Sequence, residues 1–331
     1  MNCYKLPIDA DPLVRCYLQP GYSIAVLNAE NKTFINQICN EFINVSVEEN
    51  SQRFYLEFCT STYFFDDLKN CKHYSYCTLN MTFENIHMTN TFYQKTYDTV
   101  GYIIDMITSG YYVIGYWDEF YVPEKNAFQK YHFSHHYLAY GYDLGKKIMH
   151  IMGYDKMGIY KNLDVPFDDF ERSIFSKGLK EMQVQFVKSN NLKYEIDFLW
   201  IKLEINNYLN SVGGQFELPN RVYGVKAWKK LFSYLNNLSS DENIDLRFVR
   251  GFMEHKNLMQ LRMERLYKNE YISCEKLITY YNELNELSKT VFLLSMKYNI
   301  TKKASILFKI NKYINQIIDK EPLILKEIFN V

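Results

Sequence analysis

The run HFSHHYLAYGYDLGKKIMHIMGY, residues 132–154, decides the fold prediction for the first half of the chain. Two segments rich in Tyr, Ile and Met flank a short turn at residues 143–145, a pattern typical of a β-hairpin. His135 then stands at the start of the first strand, where a side chain can project from the rim of a sheet. A histidine in that position can act as a general base or accept the proton of a thiol.

The character of the sequence changes near residue 165. Before it, helices are predicted after Cys16 and over 91–110, and Val, Ile, Tyr and Phe dominate strand-like runs at 52–64, 111–122, 136–143 and 146–154. From Pro166 onward, long amphipathic segments predict a helical bundle that begins with a helix over 167–187. We therefore predict an α+β chain with a catalytic domain at 1–165 and a helical bundle domain at 166–331.

The composition excludes some classes of partner. Of 331 residues, 47% are hydrophobic, which is enough to build sizeable cores. Lys and Arg number 38, as do Asp and Glu, so no basic surplus indicates nucleic-acid binding. The sequence shows no signal peptide and no stretch of 18 uninterrupted apolar residues. We expect a cytoplasmic protein with no nucleic-acid and no membrane partner.

The seven cysteines are odd in number and irregularly spaced, which is typical of reduced thiols in the cytosol. Cys71, His73 and Cys77 lie close together, but they lack the paired CxxC spacing of a zinc site. We therefore predict no bound metal and no cofactor.

Cys16 is the candidate nucleophile from the residues alone. It lies in VRCYLQPGYSIAVL, residues 14–27, where a loop enters a predicted helix. A helix N-terminus lowers the pKa of a thiol and offers backbone N–H groups to an oxyanion. An early Cys at a helix start with a His far downstream on a strand is a papain-like order. A buried inert thiol and a structural histidine are the ordinary alternatives, and both stay open at this point.

Three segments carry a resemblance to a known family: YYVIGYWDEFYVP at 111–123, HFSHHYLAYGYD at 132–143 and KKIMHIMGYDKMGIYKNLDVPFDDFERSI at 146–174. Together with the segment around Cys16, they resemble the papain-like domain of the butirosin-type acyltransferases over roughly residues 10–175. A more distant similarity is to the cysteine peptidase domains of bacteriocin exporters. The resemblance implies a papain-like fold, followed here by a helical C-terminal region.

The resemblance also assigns roles to residues. The family's catalytic His opens a strand six residues before the Gly of a Gly-Tyr-Asp turn, which is His135 here. The family's nucleophile opens the first helix, which indicates Cys16 rather than Cys3 or Cys39. Asp155 is the expected third member of a catalytic triad, with Asp143 second.

One feature of papain-like peptidases is missing from this sequence. They place a Gln before the nucleophile, but position 10 is Ala10 and the nearest Gln is Gln19, which follows Cys16. We therefore expect backbone N–H groups or another side chain to stabilise the oxyanion.

The family resemblance implies a reaction. The enzyme would take an acyl group from the phosphopantetheine thioester of an acyl or peptidyl carrier protein and pass it through Cys16 to an amine. The chain is also similar to the transglutaminase-like amide synthases of closthioamide-type assembly, in which the acceptor is a diamine. Two alternatives remain: a cysteine peptidase or thioesterase that uses water, and a non-catalytic module that docks a carrier protein.

Overall fold

The computed structural model describes residues 2–48, 56–59, 81–86, 98–177, 179, 184–189 and 193–329. The chain forms two compact units, one from residues 1–32 with 73–192 and the other from residues 33–72 with 193–331. Helices, antiparallel sheets and a helical C-terminal region are all present, as the sequence predicts.

The described elements follow one another along the chain as a mixture of short strands and helices of increasing length. They are β1 (Cys3–Lys5), α1 (Leu18–Glu30), α2 (Phe34–Asn40), β2 (Val45–Glu48), β3 (Leu56–Phe58), β4 (Met81–Ile86), α3 (Thr99–Thr108), β5 (Tyr112–Asp118), β6 (Ser134–Asp143), β7 (Ile148–Tyr154), β8 (Tyr160–Pro166), α4 (Phe167–Ile174), β9 (Val184–Ser189), α5 (Phe198–Asn210), β10 (Arg221–Tyr223), α6 (Gly224–Asn236), α7 (Leu246–Lys268), α8 (Lys276–Thr301) and α9 (Ala304–Phe329).

The first unit is built on an antiparallel sheet with strand order β4-β9-β5-β6-β7-β8, and β1 pairs with the end of β6. The predicted hairpin is confirmed, since β6 and β7 pair from Leu138 with Met152 to Asp143 with Ile148. Gly141 is required where β1 pairs with β6, because a Cβ there would lie 2.6 Å from the carbonyl oxygen of Tyr4. The sheet therefore brings the start of β6 and the end of β7 to one edge.

Two predictions for residues after 165 are wrong. The helix predicted over 167–187 ends at Ile174, and Val184–Ser189 forms β9 between β4 and β5. Phe186 and Val187 are adjacent and both fully buried, as in a central strand that is covered on both faces. Because α4 and β9 complete the first unit, the predicted division at 165/166 falls inside that unit.

The second unit contains α2, α5–α9 and a small sheet of order β10-β2-β3 among its described residues. Buried side chains of α7 hold the early segment in place. Arg262 donates to the carbonyl oxygens of Cys39 and Glu41 at 2.7 and 2.6 Å, and His255 Nε2 lies 2.8 Å from the carbonyl oxygen of Ile43. These contacts supply partners for carbonyls at the end of α2, so residues 33–48 fold with the C-terminal helices.

A buried ion pair lies at the centre of the helices. Lys256 Nζ is 2.5 Å from Glu321 Oε2, and both side chains are at most 1% exposed. The hydroxyls of Tyr208 and Tyr281 donate to the same carboxylate. The Lys256 ammonium also faces the ring of Trp228 at 5.2 Å. Burial lowers the pKa of Lys256, and the charge of Glu321 opposes this change.

No described helix is long and apolar enough to cross a membrane.

Lys256→Met should destabilise the second unit by about 3–5 kcal/mol, because Glu321 would keep a buried charge without its cation. Urea unfolding followed by circular dichroism measures the loss. The double variant Lys256→Met with Glu321→Leu should recover much of it, since no buried charge then remains. A double variant that is no more stable than Lys256→Met would contradict this account.

The free energy of unfolding should fall as the pH rises toward the pKa of Glu204 in the folded protein. Burial raises the pKa of Glu204 from 4.5 to about 7, with a further increase from Glu41 and an opposing hydrogen bond from Asn207. The folded state therefore binds this proton more tightly, and the unfolded state loses it first as the pH increases. Glu204→Gln should remove a loss of up to about 3 kcal/mol that develops between pH 4.5 and 7. Urea unfolding of both proteins at pH 5 and pH 8 tests this, and an equal difference at the two pH values would refute it.

Candidate active site

His135 is the second residue of β6 and pairs with Trp117 of β5. A 3-10 turn at Glu119–Tyr121 follows β5, and the backbone N–H of Glu119 donates to the carbonyl oxygen of Phe133 at 2.9 Å. This turn brings Glu119 Oε1 to 2.8 Å from His135 Nδ1. A carboxylate at Nδ1 favours the imidazole tautomer with its proton on that nitrogen, which leaves Nε2 able to accept a proton.

Glu119 is a buried carboxylate that contacts both His135 and Lys125. Glu119 is 7% exposed, and Lys125 Nζ lies 3.2 Å from the same carboxylate oxygen that contacts His135. Burial by itself raises the pKa of Glu119, but the hydrogen bond from His135 and the charge of Lys125 outweigh it and the pKa is lowered. Glu119 is therefore an anion at neutral pH, able to stabilise an imidazolium at His135.

A second histidine–carboxylate pair adjoins the first. His132 Nδ1 lies 2.6 Å from Asp118 Oδ2, and Ser176 donates to that oxygen at 2.5 Å. Burial raises the pKa of Asp118, but the hydrogen bonds from Ser176, His132 and the backbone of Phe120 and Phe133 together lower it. The side chain of His132 is 52% exposed, compared with 35% for His135. Asp118 accepts from both ends of the loop that carries His132 and leads into the strand of His135.

His136 is unsuited to the same role. It follows His135 in β6, so its side chain points to the opposite face of the sheet, where its ring is tilted against that of Tyr116 with centroids 4.1 Å apart. Burial and then the charge of His135 lower the pKa of His136 to about 4. His136 is therefore neutral at physiological pH, and it has no described carboxylate partner.

Cys16 lies just before α1, whose N-cap is Tyr17. The residue is 4% exposed. Two tyrosine hydroxyls join this segment to the sheet: Tyr154 donates to the carbonyl oxygen of Arg15 at 2.6 Å, and Tyr22 donates to the carbonyl oxygen of His136 at 3.2 Å. The helix start that carries Cys16 and the strand start that carries His135 thus lie at the same edge of the sheet.

The alternative cysteines are placed differently. Cys3 pairs with Asp143, eight residues along β6 from His135 and therefore about 26 Å away at ~3.3 Å per residue. Cys39 and Cys59 are buried in the second unit, where burial raises both thiol pKa values, that of Cys59 to about 12. A raised pKa disfavours the thiolate that a nucleophile needs. No disulfide joins the five cysteines in the described part of the chain.

The carboxylate at His135 Nδ1 is that of Glu119, and the predicted Asp155 is bound elsewhere. Asp155 accepts from the backbone N–H groups of Met157 and Ile159 at 2.8 and 2.9 Å, and Lys161 Nζ lies 3.2 Å from its other oxygen. Burial raises the pKa of Asp155, but these hydrogen bonds outweigh it and lower the pKa. Asp155 shapes the turn between β7 and β8.

Asp143, the second candidate for the triad, stands at the far end of β6 and accepts from the backbone N–H of Lys146. Neither predicted Asp therefore has the contact with His135 that an orienting role requires.

Neither Glu119 nor Lys125 is predicted from the sequence. A signal for Glu119 was present, because the acidic pair Asp118-Glu119 stands at the end of a strand that pairs with the histidine strand. Lys125 gave no comparable signal, since a lysine in a polar loop is usually solvated.

Neither a scan against models of known protein families nor a search of curated proteins gives a match to this chain. Within the described residues, no group of three or more His, Cys, Asp or Glu side chains could hold a metal ion. Cys71, His73 and Cys77 lie outside those residues.

Glu119→Gln should slow the alkylation of Cys16 by iodoacetamide at pH 7 by about tenfold or more, because a neutral amide stabilises the imidazolium less than a carboxylate does. Peptide mapping by mass spectrometry distinguishes Cys16 from the other thiols. Asp155→Asn is the matched control and should remain within about twofold of the original rate. A large effect of Asp155→Asn with none of Glu119→Gln would return the orienting role to Asp155.

Proposed function

We propose that this protein is a cysteine-dependent acyltransferase of papain-like architecture that forms amide bonds from carrier-protein thioesters. The observation that supports it most is the contact of the buried Glu119 carboxylate with His135 at the edge of the sheet to which the Cys16 segment is joined. A thiol at a helix start and a histidine with a fixed tautomer are the parts that acyl transfer to sulfur needs. The roles of Cys16 and His135 as nucleophile and base are part of this proposal.

The proposed reaction has two halves. In the first, His135 takes the Cys16 proton, the thiolate attacks the thioester carbonyl, and the pantetheine thiolate leaves with the proton from His135. In the second, an amine attacks the Cys16 thioester, loses a proton to His135, and Cys16 leaves and regains a proton. Exchange between thioesters is nearly isoenergetic and the amide step is downhill, so the scheme needs no ATP and no cofactor.

Substrates are assigned by the family resemblance and by chemistry. The acyl donor is an acyl or peptidyl carrier protein, and the acceptor is a small amine. The resemblance to the transglutaminase-like amide synthases implies a diamine. A pathway that assembles a nonribosomal peptide-like natural product in the cytoplasm would supply both. Cys16 is 4% exposed, a degree of burial that would restrict the access of bulk water to an acyl-enzyme and favour transfer over hydrolysis.

Cys16→Ala should abolish both acyl-enzyme formation and amide formation, because the acyl-accepting sulfur is lost. Intact mass spectrometry after incubation with an acyl-loaded carrier protein reports the adduct on the enzyme, and liquid chromatography reports the amide once an amine is added. Cys39→Ala is the matched control, since Cys39 belongs to the second unit, and circular dichroism checks that each variant folds.

The same assay separates the alternatives. Release of the free acid without an amine, at a rate equal to that of amide formation with one, would favour a thioesterase or peptidase. Stable binding of the carrier protein with no adduct on Cys16 would favour a docking module. Amide formation by Cys16→Ala at the original rate would exclude Cys16 as the nucleophile.

A further inference from the structure

Lys125 is a buried cation whose ammonium has two acceptors at the candidate site. Its side chain is 3% exposed, and Nζ lies 3.2 Å from Glu119 Oε1 and 2.6 Å from the carbonyl oxygen of Tyr154. The same ammonium faces the ring of Trp117 at 5.4 Å. Burial lowers the pKa of Lys125, and the charge of Glu119 is the largest opposing influence. A lysine that is buried in this way stabilises the fold only through its partners.

Lys125 lies where the main-chain ladder of the sheet is interrupted. Among the described pairs, β6 and β7 pair from the hairpin turn as far as Leu138 with Met152. Beyond that pair, residues 134–137 of β6, which include His135, are not paired with the last two residues of β7. The Lys125 ammonium stands over Gly153, where a Cβ would lie 3.4 Å from Nζ, and it bonds the next carbonyl at Tyr154.

Further contacts join the Lys125 loop to the β7–β8 turn. The backbone N–H of Lys156 donates to the carbonyl oxygen of Glu124 at 2.7 Å, and Lys161 Nζ lies 2.8 Å from the Glu124 carboxylate. Lys161 Nζ also lies 3.2 Å from the Asp155 carboxylate. The loop that begins with Glu119 is thereby attached to the strand on the other side of His135.

Lys125 and His135 contact the same oxygen of Glu119. Since the two contacts measure 3.2 and 2.8 Å, Nζ and Nδ1 are at most about 6 Å apart. A positive charge at this separation disfavours a second positive charge on the imidazole. Lys125 is therefore close enough to affect the imidazole directly as well as through the position of Glu119.

We infer that Lys125 is a positioning residue for the Glu119–His135 pair: it joins the turn after β5 to the end of β7, where β6 and β7 are not paired, and it holds Glu119 against His135. The inference rests on the proposed function for its catalytic meaning. Other charged or titratable groups near this pair are Tyr22, Asp118, Glu124, His132, His136, Tyr154, Asp155 and Tyr160.

The sign of the effect distinguishes this role from a purely structural one. Lys125→Met removes a positive charge near the imidazole, so the midpoint of the His135 NMR titration should move to higher pH than in the unmodified protein. Glu119→Gln removes a negative charge, so the midpoint should move to lower pH. Lys125→Arg keeps the charge and should stay close to the original midpoint. A structural role alone would not produce shifts of opposite sign.

The measurement is an NMR titration of the full chain labelled with ¹³C-histidine. The chain has seven histidines, and the signal missing from His135→Gln identifies the ring of interest. In the same samples, the alkylation rate of Cys16 as a function of pH reports the thiol, and its maximum should fall at least severalfold in Lys125→Met because Glu119 is less well fixed. Lys125→Gln provides the same loss of charge if the Met variant fails to fold.

The two possible failures are distinguishable. A His135 midpoint in Lys125→Met within about 0.2 pH unit of the original, or a shift to lower pH, would overturn the inference. A Cys16 that reacts no faster than an ordinary thiol in the unmodified protein would overturn the proposed function, whatever the titration of His135 shows.

Discussion

A carboxylate can remain ionised inside a protein only where cations or hydrogen-bond donors replace the water it has lost, and Glu119 meets this condition with His135 and Lys125. The three side chains come from the start of β6, the turn after β5 and the loop that follows. Their contacts decide how closely that loop lies against β6 and β7. The position of the candidate base therefore depends on an ion pair as well as on strand pairing.

The second unit satisfies the same condition by different means. The Glu321 carboxylate accepts from tyrosine hydroxyls and the Lys256 ammonium faces aromatic rings, so both charges have fixed partners among the helices. In the first unit, by contrast, His135 is about one third exposed. The Lys256–Glu321 cluster specifies how the helices pack. The Glu119–His135 pair leaves Nε2 of His135 available for proton transfer.

Local patterns predicted much of this molecule correctly. The hairpin at 132–154, the position of His135 at the start of a strand, and five C-terminal helices were all readable because hydrophobic spacing and turn residues act over short distances. The strand β9 was mistaken for the continuation of a helix, since FDDFERSI begins a helix and only pairing with β4 and β5 makes VQFVKS a strand. Such pairing joins residues about 70 to 100 positions apart, which no local pattern reveals.

The candidate site was predictable in part for the same reason. An aspartate was expected from the family order, and a glutamate in the preceding turn occupies the place beside His135 instead. The acidic pair Asp118-Glu119 was a signal at the end of a strand, but no local pattern shows that Glu119 contacts His135 while Asp155 accepts from the backbone of its own turn.

The interleaving of the two units has a consequence for how the chain acquires its structure. Residues 33–48 are synthesised early, but Arg262 and His255, which hold them, are made more than 200 residues later. On the ribosome, the emerging chain must carry β2 and the end of α2 through the completion of the first unit before their partners exist. The first unit is therefore assembled from two pieces of chain that are separated in the sequence by a segment of the second unit.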